Sequence, residues 1–410
     1  MIAWHHGGAQ CNGHSLALNP IMGPSHRLCH HPVFSNFTAH RLRSVEDVPY
    51  QAMIDWLGVV VDSADYCHTS YYRQRVAHTI RVQNCEMLHW VSMRPADVSW
   101  PLALPLPLVS EEYFEYVDVL ESVVHYYRTV HARGRHTSRR VRPYRVVELG
   151  AGFGLWSISA HAALQQLWRS DVTQRGNGES HENGDADGVA PRFHATLVEA
   201  DPSKLQLLNR SLLRNGLARH ASVRHAAVSG DAQGGRVQLV GPLGYYGILT
   251  RSLDGSGPSG AAPAKAPAPV RVVPTTTLVE VLRPLPGMVD MLDVDIQGSE
   301  FSAFDAAAME VLNAKVLFVH IGTHCESGVN VKHGGAQRND VDLLPEPLMR
   351  LALRERALAQ TFLDHGWAPR WMVAQSVNCD LQAYYRLTPL GSICMADGVL
   401  SFRNPRLVTA

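Results

Sequence analysis

The 410-residue sequence has no excess of charge of either sign, because Lys plus Arg and Asp plus Glu each number 37. Surfaces that bind nucleic acid usually carry a marked basic excess, so this balance argues against such a partner. The sequence also lacks an apolar run of the roughly 18 to 20 residues that a membrane-spanning helix needs. We therefore expect a globular protein with no membrane span, and a hydrophobic fraction of 46% is typical of that class.

The cysteines show no pairing pattern. Seven of them are scattered along the chain, and none forms a C-x-x-C pair. An odd, dispersed set in a long chain indicates free thiols in a reducing compartment. The first ten residues lack the basic start and apolar core of a secretory signal peptide. We expect a cytoplasmic protein, with organelle targeting by the irregular, acid-poor N-terminus as the alternative.

Three segments have the composition of weakly ordered chain. Residues 1–45 form a His- and Gly-rich tail, and residues 173–192 and 255–269 are predicted to be loop insertions. The histidines of the tail do not have zinc-finger spacing, so the sequence assigns no metal site. Residues 46–140 are predicted to form a helical cap or substrate lid, and residues 141–410 the main domain.

The most informative stretch is RVVELGAGFGLW, from Arg145 to Trp156. An apolar strand followed by a glycine-rich turn and a helix opens a nucleotide-binding α/β unit. A dinucleotide-binding turn needs a third small residue where this chain has Leu155, and Glu148 would repel a pyrophosphate. A cationic ligand without phosphate suits this turn better, and we predict S-adenosylmethionine. The donor-site residues predicted from this stretch are Glu148, Gly150, Gly152 and Gly154.

A second apolar strand, residues 194–202, carries Glu199 near its end and precedes an amphipathic helix over 203–215. Ligands of open α/β sheets bind beyond the carboxyl ends of the strands, so Glu199 is predicted to accept hydrogen bonds from a ribose diol. The alternative is a solvated acid near the N-terminus of the next helix. A third strand, residues 222–229, contains Ala227, which is predicted to make room for an adenine ring.

Two further apolar strands, residues 289–296 and 315–321, flank a helix predicted from about 301 to 312. Strands that alternate with helices favour a mostly parallel sheet. We predict an α/β fold with a Rossmann-like, doubly wound sheet and an N-terminal helical cap.

The order of these motifs resembles that of the FkbM-type class I methyltransferases, which methylate hydroxyl oxygens with S-adenosylmethionine. The resemblance covers roughly residues 105–403 and rests on ELGAGFG, VEADPSKLQLLNRSLLRNGL, AAVSGDAQG, DMLDVDIQGSEFSAF and DGVLSFRNP. It implies a hydroxyl-bearing acceptor, and a glycan, a lipid-like alcohol and a small molecule all stay open as that acceptor. In the family the fourth motif usually has a lysine followed by D-V-E-G-x-E. Here Asp293 replaces the lysine and Gln297 the middle acid, which suggests a subgroup with a different acceptor.

An alcohol is a poor nucleophile near neutral pH, so a general base or a metal that acidifies the hydroxyl helps its methylation. Asp295, at the end of the fourth strand, is the first candidate for this role, with a helix N-cap as its alternative. His320 and His324, at and beyond the end of the fifth strand, are the second, with a core and a loop histidine as their alternatives. The pair Asp293 and Asp295 also resembles a glycosyltransferase metal motif, which the glycine turn disfavours.

Two other functions stay open at this point. A noncatalytic binding protein that keeps the methyltransferase fold is one alternative, because the fourth motif departs from the family pattern. A nicotinamide-dependent oxidoreductase is the other, and the missing third glycine argues against it.

Overall fold

The computed structural model describes residues 31–37, 52–54, 57–62, 111–131, 141–176, 190–230, 235–240, 249–252, 270–324, 346–373, 384–388, 391–395 and 398–408. The chain divides into two compact units. The first comprises Met1–Tyr144, Ile158–Phe193 and Ala383–Met395, and the second comprises Arg145–Ser157, His194–Gln382 and Ala396–Ala410.

The strands, in chain order, are β1 (Ala52–Ile54), β2 (Val60–Asp62), β3 (Tyr144–Leu149), β4 (Phe193–Glu199), β5 (Ala221–His225), β6 (Ala227–Val228), β7 (Arg236–Val240), β8 (Leu249–Ser252), β9 (Val270–Thr276), β10 (Val289–Val294), β11 (Val316–Thr323), β12 (Ala368–Val373), β13 (Tyr384–Thr388), β14 (Gly391–Met395) and β15 (Gly398–Arg403). The α-helices are α1 (Glu111–Tyr126), α2 (Leu155–Gly176), α3 (Pro202–Arg214), α4 (Leu278–Leu282), α5 (Glu300–Ala303), α6 (Ala306–Lys315) and α7 (Glu346–Asp364).

The largest sheet has seven strands in the order β12-β15-β11-β10-β3-β4-β5. β10 runs parallel to both β3 and β11, and β4 runs parallel to β5. β15 is antiparallel to its neighbours β11 and β12. Every residue of β10 and β11 is buried, as expected for central strands covered on both faces. This sheet confirms the predicted fold class.

The core of the second unit lies between this sheet and its helices. Val147, Leu292 and Val319, on three adjacent strands, are fully buried and belong to one apolar cluster. Phe362 of α7 stacks on Phe402 of β15 with ring centroids 4.5 Å apart. Burial of such large side chains is the main favourable contribution to folding, at about 2 kcal/mol or more each.

The strand order reverses between β3 and β10, which predicts a ligand crevice at this point. From β3 the chain continues to β4 and β5 on one side of the sheet, and only later returns to β10 and β11 on the other. Ligands of open α/β sheets bind at such a reversal, beyond the carboxyl ends of the strands. The two strand ends are joined there, because the backbone N–H of Asp295 donates to the carbonyl of Leu149 at 2.9 Å.

Three predicted element boundaries are wrong. The predicted third strand is two strands in different sheets, because β5 borders the large sheet and β6 pairs with β9 in a four-stranded sheet. The predicted helix over 301–312 is broken into α5 and α6, because Asp305 N-caps α6 by accepting from the N–H of Ala308. α2 continues through Gly176, beyond the predicted start of the loop at 173.

In the first unit, the described residues of the predicted cap include the antiparallel β1–β2 pair and α1, which continues as a π-helical turn, Tyr127–His131. Ser122 of α1 shares a hydrogen bond with the Tyr144 hydroxyl at 2.6 Å. A short 3-10 helix, Pro32–Asn36, lies within the predicted tail. The predicted loop at 255–269 and most of the loop at 173–192 lie outside the described residues. Among the described helices, none has the length and apolarity to cross a membrane.

Candidate functional site

The glycine turn after β3 is closed by backbone contacts. Gly150, Gly152 and Gly154 have φ values of 79°, 52° and 74°, a region that strongly favours glycine. The N–H groups of Gly150 and Ala151 both donate to the carbonyl of Val198, at 2.9 and 3.0 Å. A Cβ at Gly150 would lie 1.7 Å from the Asp295 carbonyl oxygen. Gly150 therefore permits the contact between the turn and the end of β10.

The space beside Gly152 differs from that beside Gly150. A Cβ built there meets only the Gly150 carbonyl oxygen, at 3.9 Å, among the atoms of the described residues. This face of the turn therefore leaves room for a ligand against the backbone.

Glu148 orders the start of α2. Its Oε2 accepts from the backbone N–H and the hydroxyl of Ser157, at 3.1 and 2.7 Å. Burial raises the pKa of this carboxyl to about 7, and the hydrogen bonds from Ser157 oppose that rise. Through these contacts Glu148 orders the first turn of α2, and its predicted place in the donor site stays a prediction.

Glu199 is bound to the glycine turn. Its Oε2 accepts from the N–H of Gly152 at 2.8 Å, and its Oε1 accepts from the N–H of Asp201 at 2.7 Å. A carboxylate oxygen has more than one lone pair, so both oxygens keep the capacity to accept from a ligand hydroxyl. The side chain thus lies at the turn, as the predicted ribose contact requires.

Ala227 lies near the end of β4, because the preceding residue, Ala226, is hydrogen-bonded to Glu199. The N–H of Ala226 donates to the Glu199 carbonyl at 3.1 Å, and Ala227 follows in β6. Ala227 is buried, with a 4% exposed fraction. Its predicted adenine contact stays a prediction.

A polar cluster lies beyond the ends of β10 and β11. It consists of Asp295, Gln297, Glu300 and His324, and we call it the Asp295–His324 cluster. The Gln297 side-chain nitrogen donates to Asp295 Oδ1 at 2.8 Å and lies 3.0 Å from His324 Nε2. Asp295 Oδ1 and His324 Nε2 are 3.2 Å apart. On the other side of the ring, His324 Nδ1 lies 2.5 Å from Glu300 Oε1.

These contacts are consistent with one tautomer of His324. If Nδ1 carries the proton, it donates to Glu300, and the Nε2 lone pair accepts from the Gln297 amide. The two amide hydrogens of Gln297 then satisfy two acceptors, Asp295 Oδ1 and His324 Nε2. Asp295 Oδ1 and His324 Nε2, which both carry lone pairs, then lie 3.2 Å apart beyond the ends of β10 and β11.

Glu300 is the buried member of the cluster. Its Oε2 accepts from the N–H of Gly298 at 2.7 Å, and its side chain is fully buried. Burial raises the pKa of this carboxyl, while the adjacent His324 lowers it. By contrast, the Asp295 side chain is 30% exposed and can be reached by a ligand.

Gln297 has a φ of 55°, the one positive φ among the non-glycine residues described. Such a conformation costs of order 1 kcal/mol and persists where surrounding contacts enforce it. Here the enforcing contacts are those of its amide with Asp295 and His324. Gln297, which stands where the family motif usually has an acid, is therefore the residue whose amide joins Asp295 to His324.

His320 lies apart from this cluster. It is 1% exposed, within β11, and its register partner in β10 is Asp293. Asp293 is also buried and lies inside its strand, whereas Asp295 follows the strand end. The structure therefore brings together Asp295 and His324 of the predicted catalytic residues, and the role of His320 stays a prediction.

Two members of the cluster, Gln297 and Glu300, are not among the residues predicted from the sequence. Both lie in the D-I-Q-G-S-E motif, so the signal was present in the spacing. Their roles depend on His324, which follows β11 while they follow β10, and the sequence does not fix that contact.

Comparison with known families gives one match. Residues 181–336 match the model of the methyltransferase FkbM domain, and this segment contains Glu199, Ala227 and the whole Asp295–His324 cluster. The predicted FkbM resemblance is confirmed. The match supports methyl transfer as the activity and S-adenosylmethionine as its cofactor. No curated protein sequence matches the chain.

Three solved structures illustrate how distant the structural similarities are. Cofactor-bound Rv0187 from MTB is 15% identical, with a TM-score of 0.30, and the alignment covers 73% of this chain and 82% of that one. FkbM from Methylobacillus flagellatus KT is 15% identical, with a TM-score of 0.27 and coverages of 70% and 54%. An O-methyltransferase from Bacillus cereus in complex with SAH is 9% identical, with a TM-score of 0.31 and coverages of 83% and 99%. The fold assignment rests on the strand order of this chain and not on these similarities.

Proposed function

We propose that this protein transfers a methyl group from S-adenosylmethionine to a hydroxyl oxygen. The observation that carries the proposal is the contact between Gly150 and the Asp295 carbonyl, because it joins a cofactor-type glycine turn to a cluster of proton-accepting groups. Donor and acceptor bound on either side of this contact would be close together. Proximity and alignment are the main requirements of methyl transfer.

In this proposal the donor occupies the face of the glycine turn beside Gly152. Glu199 accepts hydrogen bonds from the ribose hydroxyls, and Ala227 leaves room for the adenine ring. Glu148 holds the first turn of α2 in place through Ser157. This arrangement is supported by the positions of the residues at the ends of β3 and β4 and at the start of β6.

The acceptor hydroxyl binds at the Asp295–His324 cluster, where its proton is drawn away. The hydroxyl oxygen forms a bond to the methyl carbon as the carbon–sulfur bond breaks, and the sulfonium becomes the thioether of S-adenosylhomocysteine. A carboxylate and an imidazole at the strand ends favour an alcohol as the acceptor, because an alcohol must lose a proton to react well. We propose a small molecule or a glycan as the source of this hydroxyl.

The Asp295→Asn variant tests the acceptor side of the proposal. We expect it to bind S-adenosylhomocysteine like the unaltered protein and to lose at least a hundredfold in methyl transfer, since general acid–base assistance contributes about that much. Transfer is measured with radiolabelled S-adenosylmethionine and a panel of sugar and small-molecule alcohols. An undiminished rate in the variant, or a product methylated on carbon or nitrogen, would contradict the proposal.

A further inference from the structure

The Asp295–His324 cluster has the dimensions of one face of an octahedral metal site. Asp295 Oδ1, the Gln297 amide atom and His324 Nε2 form a triangle with edges of 2.8, 3.0 and 3.2 Å. Donors at right angles on bonds of about 2.1 Å lie about 3.0 Å apart. Tetrahedral bonds of the same length would separate them by about 3.4 Å, which exceeds all three edges.

The chemistry of the three side chains agrees with this geometry. Asp295 and His324 bring two lone pairs to within 3.2 Å of each other, and such a pair needs a positive group beside it. In the structure the hydrogens of the Gln297 amide supply it. A half-turn of the terminal amide exchanges its nitrogen for its oxygen at nearly the same position, which converts the donor into a third ligand.

Glu300 adds the outer contact that metal-binding histidines usually have. A ligating histidine almost always donates its other ring N–H to a carboxylate or a carbonyl, which fixes the tautomer and the orientation of the ring. His324 Nδ1 contacts the buried Glu300 carboxyl in this way, at 2.5 Å. Glu300 is in turn fixed by the N–H of Gly298.

We propose that Asp295, Gln297 and His324 bind a divalent cation of the Mn²⁺ type, with Glu300 orienting His324 from behind. Two oxygens and one imidazole nitrogen form a mixed set that suits Mn²⁺, because carboxylate and carbonyl oxygens suit Mg²⁺, Ca²⁺ and Mn²⁺ while imidazole favours transition metals. Ca²⁺ fits less well, since its longer bonds would separate the ligands by about 3.3 to 3.7 Å.

This inference rests on the proposed function and assigns the activation of the acceptor hydroxyl to the cation, so that Asp295 and His324 act as its ligands and not as the base. The acceptor hydroxyl occupies one of the open positions on the cation, which lowers the pKa of the hydroxyl. The hydroxyl releases its proton to water, and the resulting alkoxide takes the methyl group while the carbon–sulfur electron pair stays with sulfur. The cation is unchanged by the reaction.

Titration of the full-length protein with Mn²⁺ tests the inference without any turnover. Free Mn²⁺ gives a six-line electron paramagnetic resonance signal that is lost on binding, so the number of sites and their affinity can be measured directly. We expect one site that is weakened at least tenfold by Asp295→Asn and by His324→Gln. Circular dichroism and thermal denaturation show whether these variants are folded.

The Gln297→Glu variant keeps the inference testable if the other variants do not fold. It replaces a neutral amide by a carboxylate of nearly the same size, so we expect at least tenfold tighter Mn²⁺ binding. The absence of binding to the unaltered protein would overturn the inference and favour an imidazolium held between two carboxylates. Binding that none of the three substitutions changes would also overturn it, because the ion would then lie elsewhere, for example among the other histidines.

The result can be separated from the fate of the proposed function. Binding of S-adenosylhomocysteine is measured on the same samples without added metal. If it binds and Mn²⁺ does not, the function stands and the cation site does not. If Mn²⁺ binds at the cluster and S-adenosylhomocysteine does not, the methyltransferase proposal fails.

Discussion

At the residue scale, Glu199 is the side chain on which the proposed donor site depends most. Its carboxylate contacts the glycine turn directly, through the N–H of Gly152. Hydrogen bonds to a charged group contribute about 1.5 to 3 kcal/mol, so we expect Glu199→Ala to weaken S-adenosylhomocysteine binding about 10- to 100-fold. Isothermal titration calorimetry measures the change.

Glu280→Ala is a matched control for that variant. Glu280 also accepts from a backbone N–H, that of Thr277, in the capping box at the start of α4. Its loss costs stability of about 1 kcal/mol but removes nothing from the glycine turn. Equal donor affinities for Glu199→Ala and the unaltered protein would remove Glu199 from the donor site.

Glu148 gives the stability of the protein a specific pH dependence. Its pKa is about 7 in the folded protein and near 4.5 when unperturbed. The folded state therefore binds more protons than the unfolded state between these values, and this residue's contribution to the free energy of unfolding falls as the pH rises through that range. The total decrease is about 3 kcal/mol.

Glu148→Gln removes this titration and keeps an oxygen that can accept from Ser157. We expect the stability of the variant, relative to the unaltered protein, to increase by about 3 kcal/mol between pH 4 and pH 8. Urea denaturation at the two pH values measures the difference, and other titrating groups cancel in the comparison. Parallel pH profiles for the two proteins would show that Glu148 is ionised without penalty in the folded state.

Most residues of the proposed donor site could be placed from the sequence, because a strand followed by a glycine turn is a local pattern. Gly152 and Glu199 meet as expected, since residues near the carboxyl ends of adjacent strands share one edge of the sheet. Glu300 and Gln297 could not be assigned in the same way. Their contacts with His324 join segments 24 and 27 residues apart in the chain.

At the scale of elements, the glycine turn after β3 packs directly against the end of β10. Gly150→Ala would place a methyl group 1.7 Å from the Asp295 carbonyl oxygen, so the backbone of one segment must move. We expect a loss of stability of about 2 kcal/mol or more, as overpacking and a positive φ both contribute. Chemical denaturation measures the loss.

Gly152→Ala is the matched comparison within the same turn. It has a similar positive φ, but the nearest described atom to the added methyl is 3.9 Å away. We expect a smaller loss of stability, about 1 kcal/mol, together with weaker binding of S-adenosylhomocysteine because the methyl intrudes on the donor face. Similar losses of stability for the two variants would contradict the packing described for Gly150.

Element existence was easier to predict than element boundaries. β10 and β11 follow from their continuous apolar sequence, whereas the end of β5 and the break between α5 and α6 depend on local hydrogen bonds. Asp305 competes successfully with helix continuation by capping α6. The start of β6 in a second sheet is set by its pairing with β9, a partner about 50 residues later.

At the scale of the whole molecule, the strand order brings the residues of the candidate site to one edge of the sheet. Four strand ends, those of β3, β4, β10 and β11, contribute the glycine turn, Glu199, Asp295 and His324. Alternating strands and helices predicted a doubly wound sheet from the sequence, and the proposed site lies at the reversal of strand order between β3 and β10. The identity of the acceptor is not set by this framework, because such pockets are formed by loops that vary on one scaffold.

Calorimetric titration of the full-length protein with S-adenosylhomocysteine, with NADH as the control, tests the central claim most directly. The proposed donor site predicts saturable one-to-one binding of S-adenosylhomocysteine and no binding of NADH. Binding of NADH alone would favour the oxidoreductase alternative. If neither ligand binds, the protein is not the methyltransferase proposed here, and the noncatalytic alternative takes its place.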